Sequence, residues 1–341
     1  MESVRIILMG FGRVGRAFAR LLYEKSNFCK TRFGIDLKMS LIFNTKGALV
    51  FPNDMEGKNE LTNFLSRFKP EESSFWKPSF SLIEALRRAE PGVLVECTPS
   101  DIRHGEPALS HLYQALDAGW HVATANKGPL VVDFRGIKEK ARRNQKRLGM
   151  SGATAAALPA LDVAMYSLAG TEIRSIEGIL NGTTNYILTQ IDQGSDYQTA
   201  LEEAQKMGIA ESNPSIDVEG WDTTAKMLII TNAVFDSGYT LNDIPVEGIT
   251  NIPSELQERA RREGKRIKLL GRFAQEHGKS YLETKVSLIG SSHPLYGVNG
   301  SEKGITFFTD TMDSVTVTGG KSDPIGAAAA LLKDIINMYR Y

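Results

Sequence analysis

The sequence predicts an α/β chain, a Rossmann-type dinucleotide-binding domain over residues 1–150 followed by an α+β domain over 151–317. Two observations predict this. Apolar strands alternate with helical patterns from Val4 to Arg147, as parallel βαβ units require. From Met150 the composition shifts to small residues (SGATAAALPAL), and helices are then followed by paired strands.

Val4–Met9 (VRIILM) reads as a buried strand, and Gly10-Phe11-Gly12-Arg13-Val14-Gly15 follows at once. Val14, Phe18, Leu21 and Leu22 then recur at helical spacing. The context, strand then glycine turn then helix, gives G-x-G-x-x-G its meaning. The first glycine permits the turn, the second lets a pyrophosphate approach, and the third allows close packing. The pyrophosphate would sit on the free N–H groups of the helix start. A plain tight βα turn is the bland alternative. The candidate cofactor residues are Gly10, Gly12, Arg13, Val14 and Gly15.

The next strand, Met39–Phe43, ends in Asn44-Thr45-Lys46. An NAD site usually carries an acid here for the ribose 2′-OH. None is present, and Asn44, Lys46 and Arg13 could receive a 2′-phosphate, so NADP is favoured over NAD. Residues 51–80 read as a loop-rich insertion, with short helices around Leu61–Phe68 and Ser81–Ala89. Val93–Glu96 is another parallel-type strand, ending in Cys97-Thr98-Pro99-Ser100. Loops at such carboxyl ends line the ligand crevice, which makes Thr98 a candidate for the nicotinamide side. Cys97 raises a rival reading, a thiol nucleophile with His104 as base. A buried, inert cysteine is the more usual state. After a helix at Pro107–Ala118 and a strand at Trp120–Thr124, Lys127 again stands at a carboxyl end. Lys138–Arg147 reads as a basic, solvated helix.

In the second half, Ile173–Ile179 is strand-like. Asn181-Gly182-Thr183-Thr184-Asn185 is a polar turn before a helix, with Thr183 as N-cap or as a ligand for a carboxylate. The stretch Ala204–Lys226 concentrates Glu211, Asp217, Glu219, Asp222 and Lys226 ahead of an apolar helix. Asp222 and Lys226, four apart on a helix starting near Gly220, share one face. Such a group can hold an ammonium and move a proton. An i,i+4 surface pair is the ordinary alternative. Arg266–Ala274, Tyr281–Ile289, Thr306–Thr309 and Val315–Val317 read as strands, and Ile325–Met338 as the last helix.

Composition narrows the function. The 40 basic and 40 acidic residues cancel, giving no support for a nucleic-acid or membrane-surface partner. Two distant cysteines argue against a disulfide scaffold, and MESVRIILMGFG lacks a signal-peptide pattern, so a cytoplasmic location is expected. The five histidines lack zinc-ligand spacing, and no side-chain metal site is expected.

These residues together resemble homoserine dehydrogenase. Ala204, Gly208, Ile209, Ala210, Asn213, Pro214, Asp217, Val218, Gly220, Asp222 and Lys226 match the family signature throughout. GFGRVG, the NKGP at Asn126–Pro129 and the EGILNGTTNYIL at Glu177–Leu188 also look like family motifs. The resemblance implies NAD(P)-dependent interconversion of L-homoserine and L-aspartate 4-semialdehyde, on the route to threonine, methionine and isoleucine. It also implies a homodimer joined through the second domain, with 318–341 completing the first. Lys226 is then the leading acid/base and Lys127 the partner polarising the oxygen, or the reverse. A lysine does this near neutral pH if burial or a cationic neighbour lowers its pKa. Asp222 would orient substrate and Lys226, Glu211 and Asp217 would hold the substrate ammonium, and Thr183 would meet the carboxylate.

The chain departs from the family at Thr154–Pro159, where many members have VGAGLP, and at Gly319–Asp323, where they have G-x-G-A-G. Some members bind sodium through backbone carbonyls near the first of these, so sodium is compatible here. No carboxyl-terminal ACT domain is expected, and hence no threonine feedback through one. The competing readings are a Cys97-dependent semialdehyde dehydrogenase and a non-catalytic NAD(P)-binding regulator.

Overall fold

The computed structural model describes residues 2–51, 70–88, 90–276, 278–320 and 323–340. The expected helix at Leu61–Phe68, and Lys321 and Ser322 of the loop before the last helix, lie outside them. The chain forms two compact units, Met1–Ala156 with Asp323–Tyr341, and Ala157–Ser322.

The first unit is built on a seven-stranded sheet. In chain order its elements are β1 (Glu2–Met9), α1 (Arg13–Phe33), β2 (Ile35–Asn44), β3 (Gly47–Val50), β4 (Trp76–Pro78) and α2 (Leu82–Arg88). There follow β5 (Val93–Glu96), α3 (Ala108–Asp117), β6 (His121–Thr124), α4 (Lys127–Val132), α5 (Phe134–Arg143) and β7 (Leu148–Gly149). The strand order is 4-3-2-1-5-6-7. β1 runs parallel to β2 and β5, and β6 and β7 continue the parallel set. β1 is buried from Ile6 to Met9, the continuous apolar run expected of a strand covered on both faces. The strand order reverses between β1 and β5, which makes the crevice beyond their carboxyl ends the switch point where ligands bind in such sheets. The final helix, Pro324–Arg340, returns to this unit and packs Ala328, Leu331, Leu332 and Ile335 into the core with Phe18 and Leu22 of α1. It is pinned there by buried Asp334, which accepts the Ser151 N–H at 2.9 Å and the Ser151 hydroxyl at 2.7 Å.

Two sequence expectations change here. Part of the segment read as loop-rich is sheet: β4, within it, pairs antiparallel with β3, which itself pairs antiparallel with β2. Strands of four and three residues carry too little periodicity to be read. The helix expected at Lys138–Arg147 runs instead over Phe134–Arg143, because Asp133 caps its start by accepting the Gly136 N–H at 3.0 Å.

The second unit is an antiparallel sheet with helices. It contains β8 (Ile173–Ile179), α6 (Gly182–Asp192), α7 (Tyr197–Lys206), α8 (Ser215–Val218) and α9 (Trp221–Phe235). α10 (Ser254–Glu263), β9 (Arg266–Glu276), β10 (Lys279–Ile289), β11 (Lys303–Thr309) and β12 (Ser314–Gly319) complete it. The strand order is 10-9-8-11-12. α9 lies close on one face because Gly271 and Gly178 leave room for Met227. A Cβ on Gly271 would stand 3.1 Å from Met227 Cβ. The opposite face carries the row Glu283, Arg272, Glu177, Thr306 and Thr316. In this row Glu177 accepts from Arg272 Nε at 2.8 Å and from His293 Nε2 at 2.7 Å. Burial pushes the Glu177 carboxyl up, but His293 and the Arg272 guanidinium outweigh it and hold the carboxyl below its ordinary range.

The glycine loop after β1 gives a direct prediction. A Cβ on Gly15 would lie 2.2 Å from the Gly10 carbonyl oxygen, whereas one on Gly12 would meet nothing within 4 Å. Gly15→Ala should therefore cost about 1–3 kcal/mol or more, and Gly12→Ala within about 0.5 kcal/mol of nothing, as read by chemical denaturation. Equal losses would contradict this packing.

Candidate functional site

In the first unit, Gly10 takes a left-handed φ of +86°, and a Cβ there would lie 2.8 Å from the Cys97 carbonyl and the Thr98 nitrogen. The loops after β1 and β5 thus touch through a glycine. α1 begins at Arg13 with Gly12 as N-cap and no side-chain cap. Gly12 and Arg13 are exposed and Val14 is half-buried against the core. A helix N-terminus without a side-chain cap, fronted by an open glycine, fits a pyrophosphate.

The turn after β2 is less free than its sequence implied. Asn44 Oδ1 accepts the N–H groups of Lys46 at 2.8 Å and Gly47 at 3.2 Å, an Asx turn that closes the β2–β3 hairpin. The exposed Lys46 Nζ lies 3.3 Å from Glu71. At such exposure the pair is weak, and Lys46 can turn to another anion.

Thr98 donates both its N–H, at 2.6 Å, and its hydroxyl to Glu96 Oε1. Asn126 caps α4, and Lys127 is the first residue of that helix. Burial pushes the Cys97 thiol well up, with the Glu96 charge adding to it, while His104 is bonded to Asp101 at 2.8 Å. Cys97 is a packed thiol, without the activation a nucleophile needs.

In the second unit the acids gather around one asparagine. Gly220, at φ +89°, turns the chain from α8 into α9, and a Cβ there would stand 2.5 Å from the Glu247 carbonyl oxygen. This brings Asp217, at the end of α8, beside Asp222, in the first turn of α9. The Asn181 side-chain amide donates to both, at 2.7 Å to Asp217 Oδ1 and 2.7 Å to Asp222 Oδ2. Lys226 Nζ donates to Asp222 Oδ2 at 2.5 Å and to the Leu180 carbonyl at 2.9 Å. The side chains of Lys226 and Asp222 are only 15% and 9% exposed, so this is no surface pair. When all three groups are ionised, two carboxylates face one ammonium, and the cluster is one positive charge short. Burial first, and the Asp222 charge second, push the Asp217 carboxyl above the ordinary range, against the opposing pull of Lys226 and Asn181.

The N-cap of α6 is Asn181, not Thr183. Asn181 takes an extended backbone (φ −124°) and accepts the Thr184 N–H at 2.8 Å. Thr183 is already one turn-step into the helix, and its hydroxyl donates to the Ile209 carbonyl at 3.0 Å, with Asp217 as an alternative acceptor. Glu211 is exposed, and its carbonyl accepts from the Gln205 side chain at 3.1 Å.

Residues 10–150 match the family description "Homoserine dehydrogenase, NAD binding domain", and residues 159–336 match "Homoserine dehydrogenase". The chain belongs to the homoserine dehydrogenase family. It is 35% identical to the homoserine dehydrogenase of Methanocaldococcus jannaschii, over 98% of each chain. It is 31% identical to the NAD(+)-dependent homoserine dehydrogenase of Pseudomonas canavaninivorans, over 100% of this chain and 97% of the other. The solved structure of a hyperthermophilic archaeal homoserine dehydrogenase in complex with NADPH superposes with a TM-score of 0.82 at 25% identity, covering 98% of this chain and 97% of that one. Family membership disposes of the thiol-dependent reading of Cys97, and the NAD(P) class of cofactor fits the glycine cradle described above.

Asn181→Ala removes a helix cap and the donor shared by the buried Asp222 and the partly buried Asp217. Together these should lower stability by roughly 2–3 kcal/mol near neutral pH. The loss should shrink on acidification, because a protonated Asp217 no longer repels Asp222. Urea denaturation at several pH values checks this, and a pH-independent loss would contradict it.

Proposed function

We propose that the protein is an NAD(P)-dependent homoserine dehydrogenase, interconverting L-homoserine and L-aspartate 4-semialdehyde in the biosynthesis of threonine, methionine and isoleucine. The observation that carries this reading is the charge-deficient cluster of Asp217, Asp222 and Lys226. It is a well for the α-ammonium of an amino acid, standing beside a lysine able to move a proton.

The residues divide the work. When bound, NAD(P) supplies the hydride acceptor or donor. Gly10, Gly12, Val14 and Gly15 form the cradle, and the start of α1 receives the pyrophosphate. Arg13 and Lys46 favour a 2′-phosphate and hence NADP. Asn44 serves by shaping the turn that carries Lys46. Asp217 and Glu211 hold the substrate ammonium, and Thr183 meets the carboxylate end. Lys226 takes the hydroxyl proton during oxidation and returns it to the carbonyl oxygen during reduction. Asp222 holds the Lys226 Nζ in place through their 2.5 Å contact. Lys127 polarises the reacting oxygen. We further infer a cytoplasmic homodimer. The exposed Tyr281 and the partly buried Phe308, on the sheet face opposite α9, support an interface there.

Three outcomes test the reading. Absorbance at 340 nm should rise with L-homoserine and NADP, and Lys226→Ala should lower kcat by about 10²-fold or more with cofactor binding retained. A folded protein that binds cofactor but never turns over homoserine would refute the assignment. The acid limb follows from Asp217. Its carboxyl binds protons more readily than usual, and a proton there removes the charge the ammonium needs. The KM for homoserine should therefore climb as pH falls through a point above the ordinary carboxylate range. Asp217→Asn should raise KM at neutral pH and flatten that dependence, and an unchanged acid limb in the variant would exclude Asp217 as its source.

A further inference from the structure

Glu96 ends a strand whose other residues, Val93, Leu94 and Val95, are apolar, and like them it is fully buried. A buried carboxyl costs free energy unless its oxygens are satisfied. Here both are. Oε1 takes the two donors of Thr98, its N–H at 2.6 Å and its hydroxyl. Oε2 lies 2.8 Å from Nδ1 of His111, on α3. Packing alone would have been served by one more valine.

The consequences run outward from Thr98. With both donors committed to Glu96, Thr98 has no N–H or O–H left for a ligand. What it offers is a fixed backbone. That backbone presses on the glycine loop, where a Cβ on Gly10 would already lie 2.8 Å from the Thr98 nitrogen. On the other side, the Asn126 side-chain amide donates to the Thr98 carbonyl at 3.0 Å, the Thr98 hydroxyl oxygen at 3.1 Å and the Pro99 carbonyl at 3.1 Å. Its Oδ1 accepts the Gly128 N–H at 2.9 Å, and the Lys127 N–H donates to Ser100 Oγ at 3.1 Å. One chain of hydrogen bonds therefore runs from α3 through Glu96 and the 97–100 turn to Lys127.

We propose that Glu96, braced by His111, is a positioning residue that sets the cofactor-facing turn after β5 and, through Asn126, the placement of Lys127. The inference rests on the dehydrogenase reading above. Neither Glu96 nor His111 touches the reacting atoms, and each acts through Thr98 and Asn126. Displacements of about 1 Å in such supports can cost about 10²-fold in rate.

The test combines titration of purified protein with NADPH and NADH, followed by cofactor fluorescence, with steady-state kinetics and thermal melts. Glu96→Ala should weaken cofactor binding about ten-fold and lower kcat, while the KM for homoserine stays within about two-fold. Glu96→Gln should recover most of the loss, because its carbonyl oxygen can accept both Thr98 donors. If Glu96→Ala does not fold, His111→Phe decides, since it leaves the Thr98 bonds in place and removes only the brace. A smaller weakening in the same direction supports the proposal. A variant that melts earlier but binds cofactor and turns over like wild type, per folded molecule, would overturn it and leave Glu96 a purely structural group. Wild-type protein that binds neither cofactor would instead overturn the dehydrogenase reading itself, and this inference with it.

Discussion

The side-chain amide of Asn181 holds together two carboxylates that would otherwise repel each other. Its two N–H groups go to Asp217 and Asp222, and its oxygen caps α6. Remove it and the cluster loses its geometry and the helix its start. The local chain is shaped to reach this point: Gly220 makes the turn from α8 to α9, and α9 then presents Asp222 and Lys226 on one face. The result is a largely buried group in which two carboxylates share one ammonium, and burial first, then the Asp222 charge, holds the Asp217 carboxyl above its ordinary range. An amino acid bringing an ammonium completes the cluster and leaves Lys226 beside the reacting end.

The first unit depends on close approach of a different kind. Three glycines allow two backbone segments and a helix start to meet. Gly10 lets the turn after β5 press against the loop, Gly15 lets α1 sit down on it, and Gly12 leaves its outer face open. The polar network behind that turn runs from His111 to Lys127 and is centred on buried Glu96 and Asn126, whose side-chain oxygens and amide are all bonded. Saturated networks of this kind favour a single arrangement, which is what a site that must present a cofactor and a lysine in register needs.

Much of this was legible in the sequence where the chemistry is local. The glycine loop reads directly because steric limits on φ and on Cβ placement act over a few residues. Asp222 and Lys226 read as a pair because helical spacing alone puts them together. Asn181 did not. It lies 36 and 41 residues from the two acids it bonds, and in sequence it is one polar residue in a run of them. Thr183 is as plausible a cap by residue type, and only the extended backbone at Asn181 decides between them. Asn44 shows the same limit: its Oδ1 closes its own turn through Lys46 and Gly47, a local role that the sequence does not distinguish from a ligand contact. Glu96 hid within an apolar strand, and its partner His111 comes from the next helix. Short strands such as β3 and β4 are sheet because β2 offers an edge to β3 and β3 offers one to β4, which no local pattern records.

The central claim is that an ammonium completes the Asp217–Asp222–Lys226 cluster. The most direct measurement compares L-homoserine with 4-hydroxybutanoate, the same hydroxy acid without its amino group, as substrates for cofactor reduction. If the ammonium is what the cluster recognises, kcat/KM for the analogue should fall by about 10²-fold or more, since buried polar groups are then left unpaired. Asp217→Asn should narrow that gap. Comparable turnover of the two compounds by the wild type would contradict the account.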